Sequence, residues 1–273
     1  MCELFAFSGE HPALLRYSLR EFAQRGGGAH NADGWGIAHY LDGDVRLLKE
    51  AGAARDSECL NFIDAHPLRS DLVLSHIRHA TQGVSAMRNC QPFVRELAGV
   101  MHVFAHNGDL DRTGLLRLAA PDGFQPVGET DSELAFCVLL ERLRPLWRGR
   151  TKAPDLVSRR RIVAAFAQEL SALGPANFLY TDGDALFAHG HKRTQDGGAV
   201  RPPGLHVLCR SCEGDASSVD TQGLRIVPTQ PSGGQVLLAS VALTDDPQWR
   251  ALTEGELLVA RSGRLIVAPL NDA

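Results

Sequence analysis

The order of elements along this chain predicts a layered α+β architecture, and three observations carry that reading. Alternating apolar runs in the first part read as strands, two long amphipathic stretches after them read as helices, and a second series of strands follows. No internal repeat or linker interrupts the series, so a single domain over 2–273 is expected. With 273 residues, 44% of them hydrophobic, the chain is long enough to bury one large core.

Taken in order, Leu4, Ala6 and Ser8 alternate with Phe5 and Phe7, which predicts a strand over 3–8 ended by Gly9. Leu14, Leu15, Leu19 and Phe22 fall at helical spacing, predicting a helix over 12–24 stopped by Gly26-Gly27-Gly28. The Asp33-Gly34 turn leads into a strand through Trp35 and Gly36, whose glycines allow a close backbone approach. Residues 45–49 pair with it across Asp42-Gly43-Asp44. A short helix is expected over 56–65, and strands over 72–76 and 99–105. Thr130-Asp131-Ser132-Glu133 has the spacing of a capping box, and the helix it opens is apolar on several sides. A second helix is expected near 158–172, then strands over 176–181, 184–189, 205–210, 235–241 and 256–267. Stretches 190–204 and 212–222 are polar enough to be mobile.

Charge and cysteine usage narrow the function. The net charge is −4, with 28 basic and 32 acidic residues. No basic stripe stands out, Arg159-Arg160-Arg161 reads as a solvated helix face, and no nucleic-acid partner is expected. The N-terminal run lacks a basic segment and contains Glu3, unlike a secretory signal. No apolar stretch approaches the roughly 20 residues that span a bilayer. Six scattered cysteines in a chain of this size point to a reducing compartment, so a cytoplasmic location is expected. Cys209-Arg210-Ser211-Cys212 lacks a second pair or a His at zinc spacing and reads as structural thiols. No metal and no cofactor are expected.

The chemistry concentrates at Cys2. Removal of Met1 would leave a thiol and a free α-amine on one residue. The amine titrates near roughly 8 and the thiol near roughly 8.5, so the first can serve as base for the second. Read alone, Cys2 is far more often a small apolar side chain in a strand; the stretches further along the chain reverse those odds.

Other stretches stand in order behind it: Asp33-Gly34-Trp35-Gly36, His76-Ile77-Arg78-His79-Ala80-Thr81, His106-Asn107-Gly108 and Gly128-Glu129-Thr130-Asp131-Ser132-Glu133. Together with Cys2 they resemble the class II glutamine amidotransferases. More narrowly they resemble the stand-alone YafJ-like members, which open Met-Cys-Glu-Leu and carry Gln-Arg-Gly-Gly-Gly, here Gln24–Gly28. The resemblance implies a four-layer αββα N-terminal-nucleophile hydrolase sandwich of two antiparallel sheets.

It also implies roles. Cys2 would attack the γ-amide carbon of glutamine, form a γ-glutamyl thioester and release ammonia. Asn107 and Gly108 would supply the oxyanion hole through a side-chain amide and a backbone N–H, donors commonly worth roughly 3–4 kcal/mol each. Arg78 would clamp the substrate α-carboxylate and Asp131 its α-ammonium, with Thr81 also on the substrate side. His79 and Gln82 stand where better-known members have Trp and His, and Arg25 has no secure counterpart. Each residue has a plainer reading as well: Arg78 as a surface charge, Asn107-Gly108 as a type I′ turn, Asp131 as an acid at a helix N-terminus.

Three functions are therefore carried forward: a glutamine amidotransferase, a hydrolase of a larger γ-glutamyl amide or peptide, and a ligand-binding or assembly protein on the same fold. Larger relatives continue into a domain that consumes the ammonia. Here the strands after Asp131 are needed to complete the sandwich, and no G-x-x-x-x-G-K-[ST] loop is present. An ammonia-accepting synthetase partner is therefore expected, and an oligomer is compatible with the reading.

Overall fold

In the computed structural model, residues 2–17, 33–80, 83–120, 122–150, 152–195, 197–210, 218–221, 224–230 and 232–266 are described. The first half contributes β1 (Glu3–Tyr17), β2 (Trp35–Leu41), β3 (Asp44–Glu50), α1 (Glu58–Ala65), β4 (Leu68–Ile77), β5 (Phe93–Leu97), β6 (Val100–Gly108), α2 (Arg112–Leu118) and α3 (Asp131–Trp147). Next come α4 (Leu156–Leu173), β7 (Ala176–Thr181), β8 (Leu186–Gly190), β9 (Arg193–Thr194), β10 (Val200–Arg201) and β11 (His206–Arg210). The chain closes with β12 (Val219–Thr221), β13 (Leu224–Pro228), β14 (Gln235–Ala239), β15 (Arg250–Ala251), β16 (Glu256–Arg261) and β17 (Arg264–Leu265).

Two antiparallel sheets face each other. The first runs β15-β11-β14-β1-β4-β2-β3, with β13 on β1 and β12 on β13; the second runs β17-β16-β8-β7-β6-β5. Alternation along β1 explains its central place. Leu4 and Ala6 pack between the sheets with Val103, Ala105 and Leu179, while Phe5 and Phe7 pack outward with Leu60 and Ile63 of α1. Each of these buried phenylalanines contributes about 1.5–3 kcal/mol. On the second sheet's outer face, Phe104, Phe178 and Phe187 pack against α3 and α4 through Phe136, Leu139, Val163 and Phe166. The result is the expected helix–sheet–sheet–helix order.

The expected helix over 12–24 is not formed in its described part. Residues 12–17 continue β1, pairing with β13 and β4 on its two sides. Ala13 and Leu15 are buried while Leu14 is 37% exposed, a period of two. Two flanking ladders outweigh a local helical spacing that adjacent leucines only suggest. The remainder of that stretch, with Arg25 and Gly26-Gly27-Gly28, lies outside the described residues.

Thr130 caps α3, its side chain accepting from Glu133 N at 3.2 Å. Glu133 does not complete the box; its carboxylate accepts from Gly128 N at 2.7 Å and pairs with Arg95. Arg159 departs from the solvated face: it is 1% exposed and holds Asp182 at 2.7 Å and Asp184 at 2.6 Å. Within the polar stretch 190–204, β9 and β10 pair as a short ribbon and Arg193 is buried. Among the described residues, no helix is long and apolar enough to cross a membrane.

Candidate active site

Strand ends converge at one end of the sandwich. Glu3 pairs with Ile77 and Phe5 with Ala239, which sets the start of β1 beside the ends of β4 and β14. In the facing sheet Gly108 pairs with Ala176 and Phe178 with His189, so β6 and β8 end where β7 begins.

Cys2 is half-buried at this end. His79 N donates to its Sγ at 3.2 Å, and the Sγ lies 3.3 Å from His79 O. Burial pushes the thiol up to about 11, against the opposing pull of the His79 N–H. Such a thiol is almost wholly protonated near neutrality and needs a base before it can attack.

Asn107 Nδ2 donates to the Cys2 carbonyl at 2.7 Å, which fixes the amide plane beside Cys2. That amide has a second N–H. Asn107 is braced from β7, where Asn177 Nδ2 donates to Asn107 O at 3.0 Å and to Lys192 O at 2.6 Å. The Asn177 Oδ1 accepts from His191 N at 2.7 Å. Asn107 and Gly108 are the last residues of β6 and neither has a positive φ, so they do not form a type I′ turn. Space requires the glycine: a Cβ at 108 would lie 1.8 Å from Pro175 O.

Cys2, His79, Asn107, Gly108, Asp109 and Lys192 share the lining of a cleft of about 370 Å³. Arg78 and Asp131 are not on that lining. Arg78 is 3% exposed, not a surface charge. Its Nη1 donates to Asp33 O at 3.2 Å and Val84 O at 3.4 Å, and its Nη2 to Gly83 O at 3.0 Å. Its positive charge favours the Cys2 thiolate. Asp131 opens α3, 4% exposed, and its Oδ2 accepts from Leu110 N at 2.8 Å. Ser132 links it to β6, its Oγ lying 3.4 Å from Asp131 Oδ1 and 2.9 Å from His106 Nδ1. Thr81 and Gln82 lie outside the described residues. Burial lowers both His76, to about 3, and His106, so these two imidazoles are neutral near pH 7.

Sequence reasoning missed Asn177, which no motif marks, and the pair Glu3–Arg193. Arg193 Nη2 donates to Glu3 Oε1 at 2.9 Å, one residue along from Cys2. The available signal was a charged residue directly ahead of the apolar run Leu4–Phe7.

The family model described as glutamine amidotransferases class-II matches residues 1–272. YafJ of Escherichia coli K12, which carries a glutamine amidotransferase designation, is 32% identical over 98% of this chain and 100% of its own. A crystal structure described as a predicted glutamine amidotransferase from Pseudomonas aeruginosa superposes with a TM-score of 0.71 at 30% identity, covering 98% of this chain and 100% of that one. The glutamine phosphoribosylpyrophosphate amidotransferase of B. subtilis shares the N-terminal-nucleophile hydrolase fold. Its TM-score is 0.58 at 18% identity, over 97% of this chain and 48% of the larger enzyme.

Proposed function

This chain belongs to the class II glutamine amidotransferases, and from that premise we propose that it hydrolyses the γ-amide of glutamine through a γ-glutamyl thioester on Cys2. The observation that carries the reading is the junction of Cys2 with Asn107. A thiol raised to about 11 sits where an amide donor and the strand end at Gly108 meet it. A protonated thiol requires a base, and the α-amine exposed by removal of Met1 is on the same residue. Asn107 Nδ2–H and Gly108 N–H receive the oxyanion. Arg78, Thr81 and Asp131 take the α-groups of the substrate, the arginine fork on the carboxylate and the aspartate on the ammonium. Residues 2–273 act as one domain in a cytoplasmic setting, to which the five free cysteines among the described residues lend support. The released ammonia passes to an acceptor on a partner protein.

The test compares ammonia release from L-glutamine by the chain beginning at Cys2, by Cys2→Ser and Cys2→Ala, and by a form with residues ahead of Cys2. Only the first is expected to turn over. Equal rates in the extended form would refute the terminal-amine mechanism.

A second reading, hydrolysis of a larger γ-glutamyl amide or peptide, is favoured by one observation. The cleft reaches Lys192, whose ammonium pairs with Glu254 at 2.8 Å; ammonia as leaving group makes no use of this cation, whereas a carboxylate-bearing amine would take the place of Glu254 on it. A screen of γ-glutamyl peptides against glutamine separates the two.

A further inference from the structure

The residue after the nucleophile is a carboxylate shut away from solvent. Glu3 is 0% exposed, and its Oε1 accepts from Arg193 Nη2 at 2.9 Å. Arg193 Nη1 donates to Ser240 O at 2.8 Å, and the Ser240 hydroxyl accepts from Leu4 N at 2.9 Å. This network ties the start of β1 to β9 and to the end of β14, and Arg193 shares the lining of the cleft with Cys2. Two buried atoms are left over: Glu3 Oε2 and Arg193 Nε have no hydrogen-bond partner among the described residues. A buried ion pair stabilises a fold poorly, because desolvation offsets the Coulomb attraction, and an unsatisfied oxygen makes it poorer still. Burial pushes the Glu3 carboxyl up, while Arg193 and Ser240 oppose the shift. The negative charge of Glu3 in turn disfavours the Cys2 thiolate, so this carboxylate does not serve the sulfur.

We propose that Glu3, held by Arg193, is a positioning residue that orients the α-amine of Cys2 and balances the charge this amine acquires during the reaction. The proposal rests on the terminal-amine reading of the active site. In the acylation step the thiol proton moves to the α-amine, sulfur bonds to the amide carbon, and the carbonyl electron pair moves to oxygen. When the tetrahedral intermediate collapses, that pair returns, the C–N bond breaks, and the ammonium proton leaves with the amine. Between these events the amine is a cation at the start of β1, and the buried Glu3 carboxylate, next in the chain, supplies its counter-charge. Other charges face the same region. Arg193 of β9, Arg78 and His79 after β4, Lys192 before β9 and Asp109 after β6 surround the cleft or the thiol, and His206 of β11 lies 3.2 Å from Ser240 O. The cations oppose an ammonium there, and Glu3 and Asp109 favour it.

The experiment measures kcat/KM for L-glutamine against pH in the chain beginning at Cys2, with Glu3→Gln and Arg193→Gln. Removing the carboxylate lets the amine lose its proton more readily. In Glu3→Gln the acidic limb should therefore move to lower pH by about one unit. The maximum should fall by on the order of tenfold, part of what a placed acid–base group supplies. Burial pushes the Glu3 carboxyl up and Arg193 holds it down, so Arg193→Gln lets Glu3 take up a proton, and its limb should move to lower pH as well. A merely structural role would lower both profiles without moving their limbs. Both variants carry the same expected sign, so if one fails to fold the other decides. A stationary limb, or a shift to higher pH, in a folded variant overturns the proposal while the parent chain's activity leaves the terminal-amine reading intact. An extended wild-type chain as fast as the processed one overturns both.

Discussion

At the scale of single residues, the protonation state of Cys2 dominates. Its thiol sits in a half-buried position that pushes it up to about 11, although the His79 N–H donates to the sulfur and the Arg78 charge favours the thiolate. In the chain that retains Met1, alkylation of Cys2 by iodoacetamide should therefore be slow at pH 7–8. It should rise about tenfold per pH unit toward pH 11, because the reactive species is the thiolate. A plateau near pH 8.5, the range of an unperturbed thiol, would contradict this. Arg78 and Asp131 are the residues proposed for the substrate's other end. Arg78→Lys and Asp131→Asn should each raise KM for glutamine by roughly ten- to hundredfold, the worth of a hydrogen bond to a charged group. Because neither residue touches the Cys2 sulfur, alkylation should proceed in both variants. Unchanged KM in both would dismiss the assignment.

At the scale of elements, α4 is anchored to the second sheet by a buried charge cluster as well as by apolar contacts. Arg159 bridges Asp182 and Asp184 next to the β7–β8 turn, and Arg261 of β16 adds a second hold on Asp184 at 2.8 Å. Truncating one partner of a buried pair strands the other, at a cost of about 3–5 kcal/mol. Arg159→Ala should lower the urea midpoint accordingly, whereas Arg161→Ala, on the exposed side of the helix, should stay within about 0.5 kcal/mol. Equal midpoints for the two variants would show that the cluster does not anchor the helix. The three arginines are indistinguishable as a run in the sequence. Which of them points inward depends on the rotation of α4 against β7, and that rotation is set by Val163, Phe166 and Leu170 in the core. Strand β1 makes the same point with the opposite residue type. Leucines that fit a helix were recruited by two neighbouring ladders.

At the scale of the whole molecule, β1 sits near the middle of one sheet and β6 within the other, and Cys2 and Asn107 stand where their ends meet. This places Cys2 and Asn107, far apart in the chain, within one hydrogen bond of each other. The B. subtilis enzyme aligns over only 48% of its length, so the likeness covers the part that carries the sandwich. Purified alone, this chain should release free ammonia from glutamine and form no amidated product when offered ATP with amine acceptors. A pull-down from its native cell extract should recover the protein that takes the ammonia. A fast, unpartnered enzyme most active on a γ-glutamyl peptide would shift the function to the hydrolase.

The sequence by itself determined the features that live within a few residues. These are the alternation of Leu4–Phe7, the Thr130 cap, the order of the motifs, and the identity of Cys2, Asn107 and Gly108. Each depends on side-chain type and short-range backbone geometry, which an isolated stretch already possesses. Only the tertiary structure decided that residues 12–17 are strand, that Arg159 is buried, and that glycine at 108 answers to the Pro175 carbonyl and not to a turn. It also decided that Glu3 meets Arg193, 190 positions further along the chain. Those outcomes are set by partners distant in the chain, whose pairing and desolvation energies exceed the local preferences they override.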